Sequence, residues 1–104
     1  MKAANRQGRE DSRSVSKTYL FYLFVYGNEA KSALARENIQ EICHEFLHDS
    51  CEIKIIDVIK DFETALQNNV YVTPALILMS PTPRVAIFGS LSNKEKVISA
   101  LHLK

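Results

Sequence analysis

Cys43, His44, His48 and Cys51 put two thiols and two imidazoles into one short stretch of this chain. Such a set suggests two chemistries, a tetrahedral zinc site or thiol–disulfide exchange. The spacing argues against the first. On a helix, His44 and His48 stand at i and i+4 on a solvent-facing row, whereas Cys43 falls on the apolar side, so the four groups do not converge. Cys43 reads as a small core residue and Cys51 as the beginning of a strand with no activating neighbour. A redox or stress protein using Cys43 or Cys51 as a thiol stands as the alternative reading. The chain has no Cys-x-x-Cys pair and no glycine-rich phosphate loop. Neither Asp57 nor Glu52 has an evident carboxylate partner for acid–base work. These residues imply no metal, no cofactor and no enzymatic turnover, which favours binding.

The composition fits that direction. The chain has 104 residues, 46% hydrophobic and 24% charged, in keeping with one globular domain. A formal net charge of +1 provides no global field towards nucleic acid or an anionic membrane. No apolar run reaches the roughly 18 residues of a membrane span, and residues 1–17 lack the apolar core of a signal peptide. Two cysteines are too few for the disulfide framework of a small secreted domain, so a cytoplasmic protein is expected. Residues 1–17 hold Lys2, Arg6, Arg9, Arg13 and Lys17 against Glu10 and Asp11, without an aromatic. They read as a disordered basic leader ahead of a domain over 18–104. A nucleic-acid role for this arm would need interleaved aromatics that it does not have.

The elements follow from hydrophobic period and from breakers. Tyr19 to Tyr26 is aromatic and β-branched without polar alternation, as in a strand buried on both faces at the centre of a sheet. Gly27-Asn28 breaks it, with Asn28 or Ser32 available to cap a helix. Apolar residues at 35, 39, 42, 43, 46 and 47 predict that helix over about 29–48. Ile53 to Val58 reads as a second buried strand, parallel to the first through a right-handed crossover. Asp61 caps a short helix on which Phe62, Ala65 and Leu66 share one face, and Asn68-Asn69 end it. Ala75 to Met79 is a strand, Ser80-Pro81-Thr82-Pro83 a tight connection, and Arg84 to Phe88 an antiparallel last strand. Ser92 to Glu95 has capping-box spacing ahead of a closing helix that buries Val97, Ile98 and Leu101. The order is β-α-β-α-β-β-α, an α/β sandwich with a mixed sheet.

Thr73-Pro74 leading into an apolar strand, after a strand–helix–strand unit, is similar to the thioredoxin fold. In that fold the proline peptide is cis and faces the functional end of the sheet, which makes Pro74 the candidate cis-proline. A thioredoxin-type oxidoreductase also needs a nucleophilic cysteine at the first strand-to-helix turn. Here that turn is Tyr26-Gly27-Asn28-Glu29. The outline of a catalytic fold is present without its catalyst.

From Tyr19 to Leu103 the chain resembles the KaiB family, small adaptors of the cyanobacterial circadian clock and their bacterial relatives. The resemblance rests on Tyr26-Gly27-Asn28, on Ile56-Asp57-Val58-Ile59-Lys60, on Thr73-Pro74-Ala75-Leu76 and on Pro81-Thr82-Pro83. Above all it rests on Gly89-Ser90-Leu91-Ser92-Asn93-Lys94-Glu95-Lys96-Val97, similar in register to the family's Gly-Asp-Leu-Ser-x-Arg/Lys-Glu-x-Val. It implies a non-enzymatic adaptor that binds the ATPase ring of KaiC, sequesters KaiA and competes with the histidine kinase SasA. Lys60 matches a family position that contacts KaiC, with Gly27 and Asn28 beside the contact. The family switches between a tetramer of unusual topology and a thioredoxin-like monomer, and the resemblance maps control of that balance to Gly89 and Ser90.

This sequence departs from the family at several places. Ser90 stands where clock members carry aspartate, Phe62 replaces a proline, Thr82 interrupts the proline run, and no acidic tail follows the last helix. The departures lead to the expectation of a thioredoxin-like three-layer sandwich as the predominant state, in a clock or a stress-adaptation setting. An exposed edge of a small mixed sheet can pair with itself, which leaves monomer, dimer and tetramer open.

Overall fold

A computed structural model of the chain describes residues 18–103. The expected basic leader over 1–17 lies outside the described residues. The element order is β1 (Tyr19–Val25), α1 (Ala30–Leu47), β2 (Cys51–Asp57), α2 (Phe62–Gln67), β3 (Ala75–Ser80), β4 (Val85–Phe88) and α3 (Lys94–Ala100). The strands form one sheet in the order β2-β1-β3-β4. Strands β1 and β2 are parallel, in register from Tyr19 opposite Cys51 to Val25 opposite Asp57. Strand β3 runs antiparallel to β1, and β4 antiparallel to β3.

The aromatic run of β1 takes an interior position because both of its faces are covered. Phe21, Leu23 and Val25 point to one side, where they pack with Ala35, Ile39 and Ile42 of α1 and with Leu91, Val97 and Leu101 around α3. Phe24, on the other side, packs with Ala65, Val70, Ala75 and Ile77. The period-2 alternation of a strand thus divides one apolar run between two cores and sets helices on both sides of the sheet. The expected β-α-β-α-β-β-α sandwich with a mixed sheet is the observed fold.

Four local expectations need correction. Strand β2 was expected to be buried but lies at an edge of the sheet, with Glu52, Lys54 and Ile55 exposed. The two charges on an edge discourage pairing with another strand. The first helix is not capped by Asn28 or Ser32. Glu29 occupies the N-cap position without a side-chain cap bond. Ser32 is fully buried inside the first turn, where its Oγ accepts from Tyr26 N–H at 3.1 Å. Helix α3 is capped by Asn93, whose Oδ1 accepts from Lys96 N–H at 3.1 Å, rather than by Ser92. Ser92 Oγ lies 2.6 Å from Ser90 Oγ instead. Finally, α2 buries only Ala65, while Phe62 and Leu66 are 64% and 43% exposed. A six-residue helix offers a single contact row, and Ala65 with Val70 fills it against Phe24.

Cys43 is a core residue, as expected, but not a free thiol: it is joined to Cys51 in a disulfide. The peptides before Pro74, Pro81 and Pro83 are cis.

Candidate partner-binding face

The strand directions bring the residues singled out in the sequence to one end of the sheet. Strands β1 and β2 finish there at Val25 and Asp57, β3 begins there just after Pro74, and β4 finishes there at Phe88. Gly27 and Asn28 follow β1, Lys60 follows β2, and Gly89 donates its N–H to Pro74 O at 2.9 Å.

Asp57 ties the first two of these segments together. Its Oδ1 accepts from Gly27 N–H at 3.1 Å and from Ile59 N–H at 3.0 Å. Its backbone oxygen accepts from Lys60 N–H at 2.9 Å and Asp61 N–H at 2.8 Å. The amide donors at Ile59 and Gly27, helped by the charges of Lys60 and Arg36, hold the Asp57 carboxyl below the usual carboxylate range. Gly27 sits at φ 55°, a left-handed conformation that favours glycine, and a β-carbon there would make ordinary contact with Ile59 Cδ1 at 3.4 Å. Gly27 O also accepts from Arg36 Nη2 at 3.5 Å. The two turns are therefore one assembly, held from below by a carboxylate.

Around this assembly the surface is apolar. Tyr26, Ile59, Phe62, Leu66, Tyr71 and Val72 are all at least two-fifths exposed, Tyr71 reaching 75%. Tyr26, Phe62, Leu66 and Tyr71 border a shallow cleft of about 300 Å³ floored by Val58, Ala65 and Val70. Grouped exposed aromatics on a small domain mark an interaction site more often than scattered ones do. The sequence reading missed these residues. Phe62 and Leu66 share helical spacing with buried Ala65, and only the shortness of α2 signalled that the core could not hold all three.

On the far side of Pro74, Gly89 has φ 104° and no atom within 4 Å of where a β-carbon would stand, so backbone conformation alone calls for glycine. Ser90 O accepts from Asn38 Nδ2 at 2.9 Å, which fastens this segment to the middle of α1.

No nucleophile occupies the turn after β1. The cysteines lie at the opposite end of the sheet, bonded to each other, and His44 Nδ1 pairs with Asp49 Oδ2 at 3.2 Å. Three of the four groups that might have held a metal, Cys43, Cys51 and His44, are thus otherwise engaged. The cleft is apolar, and exposed Lys60 lies in the chain between its Val58 and Phe62.

Comparison with known proteins decides the family. The model of the KaiB domain matches residues 22–103. The chain belongs to the KaiB family. Circadian clock protein KaiB3 of a Synechocystis strain is 40% identical over 81 residues, covering 78% of this chain and 79% of that one. The circadian clock oscillator protein KaiB of Trichodesmium erythraeum is 35% identical over 89 residues, 86% of each chain. Among solved structures, the N-terminal domain of Synechococcus elongatus SasA superposes with a TM-score of 0.68 at 18% identity, over 91% of this chain and 93% of that domain. The Drosophila melanogaster thioredoxin Deadhead does so at 0.65 and 12% identity, over 86% and 83%. At these identities the last two likenesses concern the fold, which is thioredoxin-like. The family and fold expected from the KaiB motifs are both borne out. Within the KaiB match fall the Asp57 assembly, the cis-proline strand and the Gly89 segment, together with the cleft residues from Tyr26 to Tyr71.

Proposed function

We propose that this KaiB-family chain is a non-enzymatic cytoplasmic adaptor that docks the open end of its sheet on a KaiC-type ATPase ring. It thereby regulates the ring's phosphorylation and signalling output, in circadian timing or in stress adaptation. The observation that carries this reading is the exposed cluster of Tyr26, Ile59, Phe62, Leu66 and Tyr71 beside Lys60, at the position where an oxidoreductase of this fold would carry its thiol. Burying such side chains against a partner releases roughly 25 cal/mol per Å² of apolar area, and aromatic anchors commonly dominate the energy of an interface. Lys60 supplies a charge at the rim, and Gly27 and Asn28 shape the turn that meets the partner.

In this reading Gly89 and Ser90 set the balance between the thioredoxin-like state and an alternative packing of the same chain. Two packings a few kcal/mol apart suffice for such a switch. A KaiA-like protein and a SasA-like histidine kinase are further partners that the family suggests.

Size-exclusion chromatography with light scattering tests the proposal on the chain alone and then mixed with a KaiC-type ATPase and ATP. Co-elution of chain and ring is expected. Absence of co-elution at micromolar concentrations would refute docking on that partner.

A further inference from the structure

The disulfide lies at the end of the sheet away from the docking cleft, and the adaptor reading makes no use of it. Cys43 is just ahead of the last turn of α1 and only 7% exposed. Cys51 opens the edge strand β2 and is half-buried. The two residues are 8 apart in sequence with Cα atoms 6.4 Å apart, a separation that a disulfide bridges without displacing the backbone.

The backbone holds this geometry independently of the bond. His48 and Asp49 adopt successive left-handed conformations, φ 51° and 63°. Asp49 N–H donates to Cys43 O at 3.1 Å and Ser50 N–H to Leu47 O at 2.7 Å. Tyr19 N–H then fastens Ser50 O to the neighbouring strand at 3.0 Å. None of these backbone bonds involves a sulfur, so all of them are open to the reduced chain as well.

The two sulfurs also differ in access. Cys43 is only 7% exposed, close to the C-terminal end of α1. Cys51 lies outside the helix and is open to small reagents. Thiol–disulfide exchange starts from an accessible thiolate, which makes Cys51 the attacking sulfur and Cys43 the resolving one.

We propose that Cys43 and Cys51 form a reversible thiol–disulfide pair, oxidised by a hydroperoxide and reduced by a dithiol, that clamps the end of α1 to the start of β2. In oxidation the Cys51 thiolate attacks the terminal peroxide oxygen, the O–O bond breaks, and water or an alcohol leaves behind a Cys51 sulfenic acid. The Cys43 sulfur then attacks the Cys51 sulfur. The S–O bond breaks, and the departing hydroxide takes the Cys43 proton and leaves as water. Two electrons pass from the two sulfurs to the peroxide. In reduction one thiolate of a dithiol attacks the Cys51 sulfur and Cys43 leaves as a thiol. The second thiol of the reductant then frees Cys51 and closes its own disulfide. In a compartment kept reducing by thiols, such a cross-link persists only while oxidant is present.

The clamp has a mechanical reach. From Ala30 to Cys43, α1 rises about 20 Å, and the length of β2 is also about 20 Å. At the other end the turn leading into α1 is linked to the end of β2 by Gly27 N–H donating to Asp57 Oδ1. Oxidation adds a covalent tie beside the His48–Ser50 connection, and reduction leaves that end held by the connection and its backbone hydrogen bonds.

The test uses the full chain exposed to hydrogen peroxide and then to dithiothreitol in native buffer, followed by intact mass, peptide mapping, circular dichroism and hydrogen exchange. The oxidised form is expected to be lighter by two hydrogens and to yield a cross-linked Cys43/Cys51 peptide. Dithiothreitol should restore both thiols without loss of secondary structure, and a second peroxide exposure should re-form the bond. Amides over residues 44–53 should exchange about 10-fold faster after reduction, while those of β1 and β3 hold their rates. Cys43→Ser, or Cys43→Val should the serine variant not fold, should stop at a Cys51 sulfenic acid that dimedone captures. A bond that resists dithiothreitol until the chain is denatured, a reduced chain that unfolds, or peroxide oxidation without the cross-link would each overturn the proposal. Capture of dimedone by Cys43 in Cys51→Ser at the rate seen for Cys51 would overturn the assignment of roles.

Discussion

The two ends of the sheet are built in opposite ways from the same two elements. At the closed end, where α1 stops and β2 starts, Leu47 packs into the core and Cys43 is covalently joined to Cys51. At the open end, where β2 stops and α1 starts, the join is a carboxylate accepting two amide bonds, and aromatic side chains face solvent. On the proposed reading, the covalent staple is at one end and recognition at the other. The arrangement follows from chain direction, because a parallel β-α-β unit puts every strand-to-helix turn at one end and every helix-to-strand turn at the other.

This contrast can be broken by substitution. The largest effect is expected from Cys43→Ala/Cys51→Ala, which removes the cross-link. Closing a loop of this size contributes about 2.5 kcal/mol in the chain-entropy account, so urea denaturation should show a loss of that order, with ring binding retained. Next come Phe62→Ala and Tyr71→Ala at the open end. Each should weaken binding to the ring by about 1–2 kcal/mol, on the order of 10-fold, while folding stability stays within about 0.5 kcal/mol. Equal losses of stability from both pairs of variants would erase the distinction between the ends. Gly27→Ala joins the two effects, because the residue is left-handed and belongs to the turn proposed to meet the partner. It should cost about 1 kcal/mol of stability and also lower affinity, read by thermal denaturation and by titration with the ring.

The smallest effect concerns Asp57 and pH. Its pKa in the folded chain lies below that in the unfolded chain, chiefly through the Ile59 and Gly27 amides. Its contribution is therefore complete above the ordinary carboxylate pKa and is lost as pH falls through the lowered folded value. Amide exchange at Gly27 and Ile59 should accelerate in acid, relative to the intrinsic rate, more than exchange in β3. In Asp57→Asn this extra acid sensitivity should vanish.

Much of this division was legible in the sequence. The unbroken aromatic run of β1 could satisfy both of its faces only at the centre of a sheet, and Gly27-Asn28, Thr73-Pro74 and Gly89 punctuate the chain where the open end lies. Exposure on short elements was not legible. Phe62 and Leu66 have the period of buried residues, and their fate depends on α2 lasting only six residues, too few to turn both towards Phe24. Strand β2 has the apolar content of an interior strand, and its edge position was decided by β3 pairing with β1 instead. The Cys43–Cys51 bond escaped notice because it depends on the two left-handed residues His48 and Asp49, neither of them a glycine. Capping also shifted by a residue at α3, where Asn93 and Ser92 offer side-chain oxygens side by side, and only the observed turn selects between them.

The apolar open end is the proposed docking surface. Its most direct test is light scattering on a KaiC-type ATPase ring with ATP, mixed in parallel with the native chain and with Phe62→Asp. The account predicts a co-eluting complex with the native chain and none with the variant, whose circular dichroism should remain native. Equal co-elution of both chains would contradict it and move the contact away from the cleft.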